Sequence, residues 1–444
     1  MRRISTLIIV PLAVFGAVSC GKDGPKNDSI PYNGLVINEI AAHDELSDIP
    51  SWVEIVNTSD TELSLEGAGL YLTDQYFNNR CIWEGTSTLG PGARLVVSTK
   101  DEMLTTGICS NDDFTLRLGT KDNSADSFTR NTDCPEALFN RGSYQRIPDA
   151  SGEWRRMPYS SKNQVNEVFE YKKELPNAIW MWSSHMEPML ADDAAVLKEY
   201  YRLGYRHLLL NSAAFTTREK EVGPFLDRAE EIGFIIHGWI QAFYAGGKWN
   251  VPIDKETKQI KEEVYTALRE LGTLCIEKYG VKGLHLDYIR WPNNASNYNF
   301  TKEVNSVAAV TRACREIREL CDGYGAGLVT SAALMPEKNS TNVYAQDPSQ
   351  MGKWLHLLMP MCYRYSYGYS DAGVVDVMNW FCKNSADAEV WSGIQTYDKN
   401  TQPLSSEKIL EDAKLYASTN STGIVLFRYG LGTFPDLNNL WNNQ

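Results

Sequence analysis

The stretch GVKGLHLDYIRWP (280–292) decides the fold. An apolar run of strand length ends on Asp287, and Tyr288, Arg290, Trp291 and Pro292 follow at once. A strand buried on both faces reads as an almost unbroken apolar run, whereas a strand with one wet face alternates. A carboxylate at the end of such a strand belongs where strand ends open onto a common surface.

Seven further runs of the same kind surround it: AIWMW (178–182), HLLLNS (207–212), FIIHGWI (234–240), GLVTSAAL (327–334), HLLMPMCY (356–363), EVWSGIQTY (389–397) and GIVLFRYG (423–430). Amphipathic stretches separate them, among them ADDAAVLKEYYRLG, KETKQIKEEVYTALRELGTLCIEKYG and FTKEVNSVAAVTRACREIREL, with shorter helices around 348–354, 372–385 and 405–418. This alternation predicts a (β/α)8 TIM barrel over 178–444. In that fold the C-terminal ends of the strands line one mouth. Side-chain alternation puts His285, Asp287 and Ile289 on the inward face, and Leu284 and Leu286 toward the helices. The other strand ends contribute Trp182, His185 and Glu187; His237, Trp239 and Gln241; Glu337; Tyr363; Gln395 and Tyr397; and Arg428 with Tyr429.

The first part of the chain has another grammar. LVINEIAA, SWVEIVNTS, AGLYLTD, RCIWE, ARLVVSTK and FTLRLGT are short β-branched and aromatic runs between turn residues. They predict an all-β, immunoglobulin-like sandwich over 35–159, joined to the barrel by a linker at 160–177. INEI (37–40), WVEIVNTSD (52–60) and SYQRIPDASGEW (143–154) resemble the lamin-tail domain, whose sandwich implies structural roles for Glu39 and Glu54. That resemblance leaves open a second envelope component as the sandwich's partner.

Arg2 and Arg3, the apolar run from Leu7 to Val18, and AVSC (17–20) read as an export signal too short to span a membrane. The ending resembles a bacterial lipoprotein box, which implies lipidation of Cys20 and anchoring to the cell envelope. Residues 21–34 are polar and rich in Gly, Pro and Asp, as a tether is. A net charge of −13 argues against nucleic-acid binding. Nine cysteines include no CxxC and no zinc-like spacing. His237 and His285, on neighbouring strands near Asp287, could form a divalent site, but neither has a ligand-spaced partner and polar lining of a sugar site explains them equally well, so no metal and no cofactor is expected.

The barrel motifs together resemble the bacterial family-ten-like glycosylhydrolases, some of which act on peptidoglycan. GFIIHGWI (233–240), GLHLDYIRWP (283–292), SAALMPE (331–337), YAQDPSQMGKW (344–354) and LLMPMCY (357–363) carry the likeness. It implies a glycan substrate. At the strand ends the rings of Trp239, Tyr363 and Tyr397 suit pyranose faces, and His237, His285, Arg290 and Gln395 suit hydroxyl and acetamido groups, which makes them the expected contacts. Glycoside hydrolysis needs two carboxyl groups, ~5–5.5 Å apart for retention and ~6.5–9.5 Å for inversion. Asp287 is the expected acid/base. The end of strand seven reads Gln395-Thr396-Tyr397 and carries no acid, so Glu337 is the leading second group, ahead of Asp347 and Glu187. A chitinase-type Asp-x-Asp-x-Glu is absent, since His285, Asp287 and Ile289 occupy those positions. The alternative is a degenerate barrel that binds glycans without cleaving them.

Overall fold

The computed structural model describes residues 32–43, 49–338 and 340–442. The expected signal segment with Cys20, and residues 21–31 of the expected tether, lie outside the described residues. Among the described residues no helix is long and apolar enough to cross a membrane.

The N-terminal unit is built mainly of β-strands, with one helical turn at Arg130–Asp133. One antiparallel sheet runs Glu153–Met157, Ser143–Ile147, Leu35–Ala41, Trp52–Asn57, Arg94–Ser98; a second runs Arg80–Glu84, Gly69–Thr73, Thr115–Gly119, Ser124–Thr129. Ile37, Val53, Ile55 and Val97 of the first sheet share one core with Leu70, Ile82, Leu116 and Phe128 of the second. Glu39 and Glu54 are buried in the first sheet and serve structure. Glu39 accepts from the Ser143 hydroxyl (2.5 Å) and from Ser161 N–H (2.8 Å), while Glu54 accepts from Arg94 (2.7 Å) and Asn163 N–H (2.7 Å). Both carboxylates thereby hold the start of the linker.

Eight parallel strands close a barrel in chain order: Asn177–Met181, His207–Asn211, Ile235–Gln241, Gly283–Asp287, Val329–Leu334, Leu357–Pro360, Glu389–Gln395 and Gly423–Phe427. Local signals delimit the outer helices. The Asn305, Ser370 and Ser405 side chains accept from the N-terminal turns of Ser306–Gly323, Asp371–Asn384 and Ser406–Ala417, and Gly233, at φ 109°, ends Glu219–Ile232. The crossover after strand five is reduced to two single turns, Thr341–Tyr344 and Pro348–Met351. Inside the barrel Trp180, Leu209, Val329, Leu357, Met359, Trp391 and Val425 fill the core.

The sandwich docks under the barrel, at the end where its strands begin. Met157 and Tyr159 join the core between strands and helices. The Tyr159 hydroxyl donates to Ala326 O (2.8 Å) and accepts from Phe169 N–H (2.8 Å). Arg141 bridges to Asp227 (2.6 Å) and Glu230 (3.2 Å) on one barrel helix. Tyr171 of the linker meets Trp391 (6.3 Å) and His356 (6.0 Å) edge-on beneath the barrel core.

Candidate functional site

Strand four delivers Asp287 to the mouth at its last position. The Trp239 indole N–H donates to its Oδ2 (3.0 Å) and the Tyr288 backbone N–H to its Oδ1 (2.6 Å), so both oxygens are oriented. Burial pushes its pKa above the ordinary carboxylate value, against the opposing pull of those two donors and of the Arg290 charge. Tyr288 has φ 50°, which ends the extended strand. As a result Ile289 does not share the inward face with Asp287, as simple alternation predicts. It lies fully buried in the outer core with Leu284 and Leu286.

Arg290 forms no ion pair with Asp287. Its guanidinium sits among rings, 4.8 Å from Trp249, 5.3 Å from Tyr344 and 5.6 Å from Tyr288, and donates to Trp291 O (3.1 Å). Trp249 and Tyr244 belong to a small hairpin after strand three, Tyr244–Ala245 with Lys248–Trp249. Tyr244 stacks on Tyr288 at 4.8 Å and 22°. The sequence carried a signal for this hairpin: aromatics flank Gly246-Gly247, both at positive φ, the pattern of a tight two-residue turn. The contributions of Tyr244, Trp249, Tyr344 and Phe427 were not foreseen.

Around Asp287 the mouth is aromatic. Trp239 packs on Trp182 (4.7 Å), Tyr363 stacks on Phe427 (5.6 Å, 16°), and Tyr397 meets Phe427 edge-on (6.3 Å). The phenol of Tyr363 is held well above its ordinary pKa by burial and by the charges of its neighbours, Asp287 among them. Trp291, by contrast, is completely buried against Phe243 and Tyr298 and faces no cleft.

Glu337 follows strand five, with its Oε1 accepting from the Tyr344 hydroxyl (3.3 Å) and its Oε2 shielded from water without a partner. Gln346 ties this loop to strand four's, accepting from Met335 N–H (2.9 Å) and donating to Ala333 O (3.0 Å) and Ile289 O (3.4 Å). The Asp347 side chain accepts from Ser349 N–H (3.0 Å) and starts the turn Pro348–Met351, the capping role its Asp-Pro-Ser-Gln context suggests. Glu187 is exposed on the first turn of Met186–Arg202.

Three of the expected contacts are buried or already bonded within the protein. His285 lies within the barrel, below Asp287. Trp180 N–H donates to its Nε2 (3.0 Å), which places the ring proton on Nδ1, facing Ser331 Oγ (2.9 Å). His237 lies lower still, fully buried, bonded to His207 (3.1 Å) and lodged against Gly283, where a Cβ would come within 2.4 Å of its Nδ1. Burial holds both rings neutral, His237 down to about 3 and His285 well below its ordinary value. Gln395 is committed to backbone: its Oε1 accepts from Tyr365 N–H (3.1 Å) and Ser366 N–H (3.0 Å), and its Nε2 donates to Tyr397 O (2.6 Å). Among the described residues no cluster of three His, Cys, Asp or Glu could hold a metal ion.

No protein-family model matches the chain, and no curated protein matches it. Among solved structures it is similar to the PgaB (BpsB) glycoside hydrolase domain of Bordetella bronchiseptica, at 9% identity and TM-score 0.44, over 57% of this chain and 94% of that one. It is also similar to the spore cortex-lytic enzyme SleL of Bacillus cereus, at 14% identity and TM-score 0.41, over 63% of this chain and 76% of that one. A GH5_18 structure from Streptomyces cattleya in complex with GlcNAc aligns at 13% identity and TM-score 0.40, over 60% of this chain and 77% of that one.

Proposed function

We propose that the barrel is a glycoside hydrolase acting on a polysaccharide or a peptidoglycan-type glycan, with Asp287 as its acid/base. The observation that carries this reading is the setting of Asp287: an oriented, buried carboxyl with a raised pKa on the floor of an aromatic mouth. A protonated carboxyl there can give its proton to the leaving glycosidic oxygen, and the flat faces of Trp182, Tyr363 and Phe427 suit pyranose rings. Glu337 is the proposed second carboxyl, acting on water or on the sugar itself, because its Oε2 has no partner in the protein. We further propose that the sandwich is a lamin-tail-type module and that a lipid on Cys20 anchors the protein to the bacterial envelope, with the sandwich free to contact another envelope component.

The second reading is a glycan-binding protein without hydrolytic activity. It is favoured by strand seven, whose end supplies Gln395, a residue with every polar atom committed, where an acid would serve a retaining hydrolase. The test is reducing-end release from peptidoglycan, chitin-type and plant glycans by the native protein and by Asp287→Asn. Loss of general-acid catalysis lowers the rate by about 10²–10⁴-fold, so release should fall by that factor. Binding without any release by the native protein would establish the second reading.

A further inference from the structure

Arg428, just past strand eight, is a cation with no counter-charge. Its backbone is fixed from both sides: its N–H donates to Thr396 Oγ1 (3.0 Å) and its carbonyl accepts from the Thr396 hydroxyl (3.2 Å). Its guanidinium carbon lies 5.9 Å from the Phe427 ring centre, at the aromatic rim around Asp287. Among the described residues no carboxylate stands within ion-pair range of it and its side chain makes no hydrogen bond. The titratable groups that feel its charge, His185 and Tyr397, are both neutral at pH 7, the first lowered to about 4 and the second raised, each chiefly by burial.

Several half-buried arginines elsewhere are held by carboxylates. Arg94 holds Glu54 and Asp149, Arg146 holds Asp126, and Arg364 holds Asp412 and Asp371. In a chain with 56 acidic and 43 basic residues, carboxylates are in ample supply. The mouth gives its two arginines, Arg290 and Arg428, aromatic neighbours in place of carboxylates, and of the two only Arg290 spends its donors on backbone carbonyls. A partly buried guanidinium without a partner presents a planar fork of N–H donors, the shape that binds a carboxylate through two parallel hydrogen bonds.

We propose that the sugar bound in the mouth carries a carboxylate and that Arg428 is the residue that reads it. The inference rests on the glycan reading given above and narrows it to acidic glycans. Binding is measured by calorimetry on the full chain carrying Asp287→Asn, with two matched pairs of probes. One pair is tetragalacturonate and its carboxyl-reduced counterpart; the other is peptide-free peptidoglycan strands, with free lactyl carboxylates, and their carboxyl-reduced counterpart. In at least one pair the anionic member should bind ten-fold tighter or more at low salt, and which pair it is names the source of the carboxylate. Arg428→Gln should bring the anionic member down to its neutral counterpart, while Arg428→Lys should keep part of the preference.

Equal affinity for both members of both pairs would overturn the inference, as would an equal loss for both members in Arg428→Gln. Reducing-end release by the native chain separates this outcome from the parent reading. Release without preference for the anion overturns the carboxylate alone. Preference without release supports the carboxylate and overturns hydrolysis. No binding to any of the four probes overturns the carboxylate, and release from a neutral chitin-type or plant glycan would then keep the parent reading. Because the guanidinium has no partner in the protein, Arg428→Gln should unfold at the native temperature, which keeps the comparison free of folding defects.

Discussion

Burial and two donors pull the Asp287 carboxyl in opposite directions, and burial prevails. The Trp239 N–H favours the charged form, so Trp239→Phe should raise the pKa further. An acid that must be protonated loses activity as pH rises through its pKa. The alkaline limb of kcat/KM should therefore move to higher pH in Trp239→Phe, and a limb that stays or moves down would remove Asp287 from the acid role. Glu39 obeys the same physics with a structural outcome. Burial raises it from 4.5 to about 7. Between those values the folded state holds a proton that the unfolded chain has lost, so stability falls as pH rises across this window, by roughly 3 kcal/mol. Urea unfolding of the native protein should show that loss between pH 4.5 and pH 7, and Glu39→Gln should flatten it.

At the scale of elements, the barrel strands were legible because each is an apolar run of strand length set off by helical spacing. Strand four was legible as a strand and misleading beyond it. Period-two alternation holds only while the backbone stays extended, and Tyr288 at φ 50° is where it stops, so Ile289 turned out of the mouth. His237 and His285 lie deeper than alternation alone conveys. Sequence shows which face a residue takes but not how deep along the strand it sits, and the register pairs His237 with Gly283, the first residue of strand four. Gln395 looked like a ligand contact because its partners, Tyr365 and Ser366, lie on another strand's loop. The register also predicts a weak point. A Cβ at Gly283 would meet His237 at 2.4 Å and Val329 at 2.5 Å, so Gly283→Ala should destabilise the barrel by about 1–3 kcal/mol, read as a lower thermal midpoint. An unchanged midpoint would mean that the strand-three and strand-four layer packs loosely.

For the whole molecule, the sandwich and linker form the floor of the barrel while the mouth opens at the opposite end. Tyr159 and Tyr171 belong to the barrel's packing as much as to the chain that precedes it. A chain beginning at residue 177 would expose that floor and lose the bonds through Tyr159. It should be less soluble and melt at a lower temperature than the full chain, yet keep whatever glycan affinity the mouth has. Loss of affinity in a folded truncation would instead assign part of the binding surface to the sandwich.

The buried histidines also fix how the molecule exchanges protons with its surroundings. All six are held below their ordinary value, chiefly by burial: His43, His185 and His356 to about 4, His237 to about 3, and His207 and His285 well below 6.5. The folded protein has almost no imidazole buffering between pH 5 and pH 8, so mild acidification leaves its histidine charge unchanged. The unfolded chain takes up those protons near pH 6.5, which makes acid an unfolding agent: His237 alone withdraws roughly 2 kcal/mol of stability by pH 5. Five of the six lie in the barrel, whereas in the sandwich the loss at His43 is offset by the gain at Glu39, so a falling pH weighs more heavily on the barrel.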